Sequence, residues 1–515
     1  MGRQAPIVPA VILENGSIRT MDSSLPLAGA LAIAGDRVAG AIGTHETALA
    51  SPEVVDLGRR CVLPGFTDSH VHFPSWAIAQ RQVRLEDATS LDEALARVRE
   101  GLSGLPTGHW LRGQGWRDAD WGTSPTKEAL DAVTGDVPTA LIAKDYHSVW
   151  LNSAGLARAN GDLAMPGGVV ELDRRGEPTG VLREESAWQF RERYVETTDD
   201  EYLDAMRAGL RLAASRGVAA VHDKDGWLPA IPRLWQMLEE QGQLSLRVWQ
   251  SLPQDRLDRL ADLGLAAGIG GDRLRLGSLK VFMDGTLGSR TALMLDGSGV
   301  EITSREELAE IIRRGARAGW PVSVHAIGDL ANRNALDAFE ETRPEWEPLG
   351  LRHRIEHAQC LAQEDVPRFA ELGIAASVQF SHAPSDAALA ERYWAGRLDR
   401  AYAFRSLWDS GALVANGSDA PIEELDPWAG ICAGVLREWH PEQAVTVQQA
   451  IESTTVNPAW LTGDERRRGK LLPGYLADLV VLDRDPFAIP VDELPEVEVV
   501  ATMVGGRWTH NPPPW

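Results

Sequence analysis

The chain has 515 residues, against about 100–200 for a typical single domain, so a large core and a second, smaller domain are expected. Its 51 basic against 74 acidic residues, a net charge of −23, exclude the basic face of a general nucleic-acid binder and favour solubility. Cys61, Cys360 and Cys432 are its three cysteines and form no CxxC, which excludes a disulfide framework and fits a reducing compartment.

The opening "MGRQAPIVPAVILENG" reads neither as a secretory leader nor, with Pro6, as a myristoylation signal. No apolar run reaches the roughly 18 residues of a membrane span. The expectation is a cytoplasmic enzyme with a small-molecule substrate, no nucleic-acid or membrane partner, and a homodimer as an open assembly.

Within the first sixty residues, "AVIL-ENG-SIRTMD" and "ALAIA-GDR-VAGAIG" are short β runs broken by Gly, Asn and Asp, as in a small antiparallel sheet. From Arg60 the pattern changes. Apolar runs at 217–223, 274–284, 320–329, 351–359, 373–382 and 412–421 alternate with helical stretches. One such stretch is "SREELAEIIRRGARAG", with Ser304 as cap and Leu308, Ile311 and Ile312 as its apolar stripe. Strand–helix alternation predicts βα units and a parallel sheet, with enough units for an eight-stranded barrel. The distance from the first apolar run to "GVAAVHD" is too long for one βα repeat and predicts an inserted subdomain at about 75–200. After Asn457 the β pattern returns in "GKLLPGYLADLVVLDRDP" and "EVEVVATMVGGRW". The expected class is therefore α/β: a (β/α)8 barrel over 61–464, plus a small β-sandwich built from 1–60 and 465–515.

The chemistry lies at the ends of the apolar runs, where parallel barrels carry their active sites. "TDSHVHF" places His70 and His72 at i and i+2, on one face of a strand. Later runs end in Lys280, His325, His357 and Asp419. Four imidazoles and a carboxylate suit Zn²⁺ or a similar divalent ion. They exceed the three protein ligands of one catalytic zinc, so two ions per chain is the simpler expectation. A lysine ammonium has no lone pair. Lys280 joins such a centre only as a neutral amine or as the carbamate formed with CO₂, an anionic oxygen donor.

This set, in this order, resembles the amidohydrolase superfamily. "VLPGFTDSHVHF" and "GKLLPGYLADLVVLD" are similar to the opening and closing motifs of that superfamily. "LKVFMDGTLGSRTA", "VSVHAIGDLANRNALDAFE", "RHRIEHAQ" and "ASVQFSHAPSD" resemble the amidohydrolase-3 branch, which includes N-substituted formamide deformylase-like proteins. The resemblance implies a distorted (β/α)8 barrel, His70, His72, Lys280 (N6-carboxylated), His325, His357 and Asp419 as metal ligands, and Asp419 as catalytic acid/base. The chain departs from the branch at Phe380, where a proline is expected, and that places the shape of the loop and the substrate in question.

Four further residues are candidates for substrate contact: His147, His382, Asp284 and Arg290. For the last two, a loop-locking ion pair is the competing reading. Asp68 reads as an acceptor behind the ligands. The expected reaction is metal-assisted hydrolysis of a non-peptide C–N bond in an N-acyl, formamide or cyclic amide. A mononuclear deaminase would need Glu three residues after His325, where Gly328 stands. An ester or lactone hydrolase competes with the amide reading, as does a non-catalytic regulatory protein on the same fold.

Overall fold

The structure is a computed structural model that describes residues 11–42, 53–105, 108–144, 146–195, 197–228 and 230–515. The first ten residues, Pro6 among them, and His45 lie outside the described residues. The chain divides into two compact units, one of residues 1–73 and 207–515 and the other Pro74–Met206.

In the larger unit the two chain ends share one eight-stranded sheet. The strand Leu479–Leu482 of "LADLVVL" runs antiparallel to Cys61–Pro64, with Val480 opposite Leu63. Cys61–Pro64 in turn lies parallel to Val11–Arg19. Alternation along these strands buries Leu13, Ile18, Leu31, Val62, Leu479 and Val481 in one core. At the hairpin between Leu27–Ala34 and Arg37–Ile42, Gly35 takes φ 60°, a left-handed turn position suited to glycine.

The rest of that unit is a barrel of eight parallel strands. In order they are Phe66–Val71, Val218–Asp223, Arg247–Pro253, Leu274–Phe282, Val322–Ala326, Arg354–His357, Ala375–Val378 and Val414–Asn416. Each pairs with the next. Between the eighth strand and the first, Ser69 Oγ donates to the Asn416 carbonyl at 2.6 Å. Just beyond, Asp419 N–H donates to His70 O at 2.7 Å and His72 N–H to Ala420 O at 2.8 Å. These bonds draw the barrel closed where the candidate ligands lie. The third strand is absent from the runs predicted by sequence, because Gln250 and Ser251 interrupt its apolar pattern.

Period-2 alternation makes the outer face apolar and the interior polar. Val281, Val324 and Ile355 join the core shared with the surrounding helices. Their neighbours Lys280, Ser323, Arg354 and Glu356 are buried polar groups. One of those helices, Arg305–Ala318, starts in a full capping box between Ser304 and Glu307 and buries Leu308 and Ile312, while Ile311 is only partly buried.

The Pro74–Met206 unit holds a six-stranded mixed sheet. Trp116 and Trp150 are buried in its core, and their rings meet edge-on at 6.3 Å. Both are committed to packing. Among the described residues, no helix is long and apolar enough to cross a membrane.

Candidate metal centre

His70 is the penultimate residue of the first barrel strand and is wholly buried. Its Nδ1 lies 2.7 Å from Glu356 Oε2. A carboxylate can only accept, so Nδ1 carries the proton and Nε2 is left with a bare lone pair. That Nε2 has no hydrogen-bond partner, yet it faces Asp419 Oδ1 at 3.2 Å. His72 repeats the arrangement. Its Nδ1 lies 2.8 Å from Asp225 Oδ1 and its Nε2 3.5 Å from Asp419 Oδ1. Lone pairs held face to face in a buried site need a cation between them, so the residues fit a metal on this observation.

On the other side of Asp419, His357 Nδ1 donates to Gln379 Oε1 at 2.8 Å, leaving Nε2 as the bare nitrogen. His325 is the reverse: Nε2 donates to the Gly285 carbonyl at 3.1 Å, which leaves Nδ1 as the acceptor. The His325 and His357 rings lie 4.6 Å apart, and His70 and His357 4.7 Å. Burial pushes His70 and His325 down, His325 to about 3. Burial and the neighbouring histidine push His357 well down. Neutral imidazole is the form that binds metal. His72 moves upward despite its burial, because Asp225 outweighs it. His357 and Asp419 have left-handed backbones, φ 73° and 58°, conformations rare outside glycine that concentrate at functional sites.

Ligand-type atoms gather in two groups that share Asp419. One is His70, His72 and Asp419; the other is His357, His382 and Asp419. His382 Nε2 is buried without a partner, 3.9 Å from Asp419 Oδ2, and its Nδ1 lies 3.2 Å from Gln359 Nε2.

Lys280 is buried, with Nζ 4.8 Å from the centroid of the Phe282 ring. Burial lowers its pKa to about 8, against the pull of Glu356 and Asp419. Asp284 is buried and accepts the backbone N–H groups of Leu293, Ile327 and Gly328 at 2.8–3.0 Å. It therefore braces its loop, and burial raises its pKa to about 7. Arg290 is exposed, with its guanidinium over the Tyr393 ring at 5.7 Å. Asp68 acts on backbone: it accepts from Ser418 N–H at 3.0 Å and His70 N–H at 3.1 Å. His147 belongs to the Pro74–Met206 unit, where its Nδ1 lies 2.8 Å from Glu184 Oε2. Phe380 is buried 5.0 Å from the Phe404 ring, and its N–H donates to Asn416 Oδ1. A proline could not make that bond.

The match to known proteins agrees with this geometry. A model of the amidohydrolase family covers residues 53–510. The chain belongs to the amidohydrolase family. Among curated relatives of this amidohydrolase, the putative amidohydrolase YtcJ of Bacillus subtilis is 33% identical over 90% of this chain and 91% of its own. An N-substituted formamide deformylase of Arthrobacter pascens is 28% identical over 96% and 97%. A solved structure of an uncharacterized metal-dependent hydrolase from Pyrococcus horikoshii superposes with a TM-score of 0.79 at 30% identity, over 94% of this chain and 99% of that one. The coarse function follows: a hydrolase of a family that works with divalent metal.

Sequence reasoning passed over the partners that aim the amidohydrolase's imidazoles. Glu356 stands in "RIEH" and Asp225 in "HDKDG". The available signal was a charged residue inside an otherwise apolar barrel run, which needs a buried partner.

Proposed function

We propose that this amidohydrolase cleaves a non-peptide carbon–nitrogen bond in an N-acyl, N-formyl or cyclic amide, with two divalent cations, zinc by donor type. The observation that carries this reading is the shared position of Asp419. Its Oδ1 faces the nitrogens of His70 and His72 at 3.2 and 3.5 Å. Its Oδ2 lies 3.9 Å from His382 Nε2 and 4.0 Å from His357 Nδ1, the nitrogen that donates to Gln379. His70 and His72 would hold one cation and His325 and His357 the other. Asp419 and Lys280, as its carbamate, complete the set. When bound, such cations polarise a carbonyl oxygen and acidify water toward neutral pH.

The chain's own residues handle the proton and the substrate. Asp419 accepts the proton of the attacking water and returns it to the leaving nitrogen. His382, whose Nδ1 accepts from Gln359, presents Nε2–H to the substrate carbonyl. Phe282 and Trp227 place apolar rings 5.0 Å from His325 and 4.9 Å from His72, which suits an apolar substituent on the amide. The deformylase relative supports this bond type. A deaminase is disfavoured because a Cβ at Gly328 would come within 2.0 Å of Leu293 O, which leaves no room for the glutamate that chemistry needs.

The test is elemental analysis of purified protein together with turnover of N-formyl, N-acyl and cyclic amides. Esters, lactones and aminopurines serve as comparators. Amide turnover with about two ions per chain is expected. Preference for an ester or lactone would move the assignment to C–O bonds, and no turnover by the two-metal protein would favour a binding role.

A further inference from the structure

Behind His70, inside the barrel, lies a charged group that the proposed hydrolysis leaves unused. Lys224 follows the second barrel strand and Arg354 begins the sixth. Both are buried, and both bind the carboxylate of Glu356. Lys224 Nζ lies 2.6 Å and Arg354 Nε 2.8 Å from Glu356 Oε1, and the Ser323 hydroxyl donates to the same oxygen. The other oxygen, Oε2, faces His70 Nδ1 at 2.7 Å. Arg354 Nη1 also reaches the Ser69 carbonyl at 3.3 Å, one residue before His70, and His222 Nδ1 at 2.8 Å.

Stability alone is a poor account of this group. Two buried basic side chains share one carboxylate, at the desolvation cost of each. Apolar replacements of buried ion pairs are often neutral or stabilising. The group does, however, make one carboxylate immobile and saturate one of its oxygens. The second oxygen is then a fixed acceptor that only a donor group can satisfy. That oxygen meets Nδ1 of His70, so the proton is held there and Nε2 is turned bare toward Asp419. A histidine that ligates through one nitrogen is commonly oriented by such a partner on the other.

We propose that Glu356, clamped between Lys224 and Arg354, is the positioning residue that locks His70 in its metal-ligating tautomer. The proposal rests on the reading of His70 as a ligand. It adds that the barrel interior, as well as its rim, sets metal affinity.

Glu356→Gln alone strands two buried cations and is expected to fold poorly. The deciding variant is therefore Lys224→Met/Glu356→Gln, which removes one charge of each sign and, with Arg354 Nε and the Ser323 hydroxyl still donating to the amide oxygen, turns its NH₂ toward His70 Nδ1. Lys224→Met alone, which keeps the acceptor, is its comparator. Zinc affinity is measured by competition with a chromophoric chelator, and the His70 Nδ1–H signal by ¹⁵N-histidine NMR of metal-free protein. The double variant should still fold, at a lower melting temperature because Arg354 loses its counter-charge, bind zinc about 10–100-fold more weakly and lose the Nδ1–H signal. Lys224→Met should keep both.

A folded double variant with wild-type affinity and an unchanged signal overturns the proposal. So does a charge-balanced double variant that no longer folds, which would make the group structural. His70→Ala separates the two readings. Loss of zinc there, with none in the double variant, sinks only the positioning role, whereas wild-type zinc affinity in His70→Ala sinks the ligand assignment itself.

Discussion

Asp478, in "GYLADLVVL", ties the terminal sheet to the barrel. Arg247 of the third barrel strand donates from Nε to Asp478 Oδ2 at 2.7 Å and from Nη2 to Oδ1 at 2.8 Å. Gly505 N–H donates to Oδ1 at 2.8 Å. Burial alone would raise the pKa of Asp478, but the Arg247 guanidinium outweighs it and brings the value from 3.8 to about 2. A depressed carboxylate stabilises the fold above its unfolded pKa and loses that contribution as pH falls through the folded one. At about 1.4 kcal/mol per unit, the depression amounts to about 2 kcal/mol at pH 7 and roughly 1 kcal/mol at pH 3. Asp478→Asn should therefore lose at least about 2 kcal/mol at neutral pH, since it also leaves Arg247 without its counter-charge. Its deficit should shrink by roughly 1 kcal/mol between pH 5 and pH 3. Urea unfolding of both proteins at a series of pH values, followed by tryptophan fluorescence, measures this. A deficit that stays constant down to pH 3, or one below about 0.5 kcal/mol at pH 7, would refute the reasoning.

Asp419→Asn should stay folded and lose about 10²–10⁴-fold in turnover, because an amide cannot take up the water's proton at neutral pH. Near-wild-type rates with metal bound would remove Asp419 as the base. Lys280→Ala should weaken one of two metal sites, and acetate or propionate should partly restore it. Two-ion binding as tight as wild type, or mass spectrometry and a high-resolution map that both show an unmodified lysine in metal-loaded enzyme, would end the carbamate reading. Gly417→Ala should weaken metal binding through strain on His70, since the new Cβ would lie 2.4 Å from His70 N and 2.8 Å from His70 Cβ. Unchanged affinity and thermal stability would show that the seam can relax.

Much of the fold and the site is legible along the chain because it is local. A strand repeats every two residues, so spacing marks His70, Lys280, His325 and His357 as residues of barrel strands, with His72 and Asp419 just past the ends of theirs. The βα alternation gives the barrel class, and the motif resemblance gives the family. The third strand is illegible because Gln250 and Ser251, buried polar residues at a register shift, look from sequence like a break in the pattern.

The tertiary structure decided what depends on groups far apart in sequence. A histidine's free nitrogen is set by what its other nitrogen meets. For His70 that partner is Glu356, 286 residues away, and for His72 it is Asp225, 153 residues away. His382, read as a substrate contact, stands in one group with His357 and Asp419. Arg290 lies over Tyr393, while Asp284 turned to backbone N–H groups. Sequence determines which donors and charges the chain carries and which strand faces they occupy. Only closure of the barrel, which brings His70 against Asp419, determines which lone pairs are left facing one another.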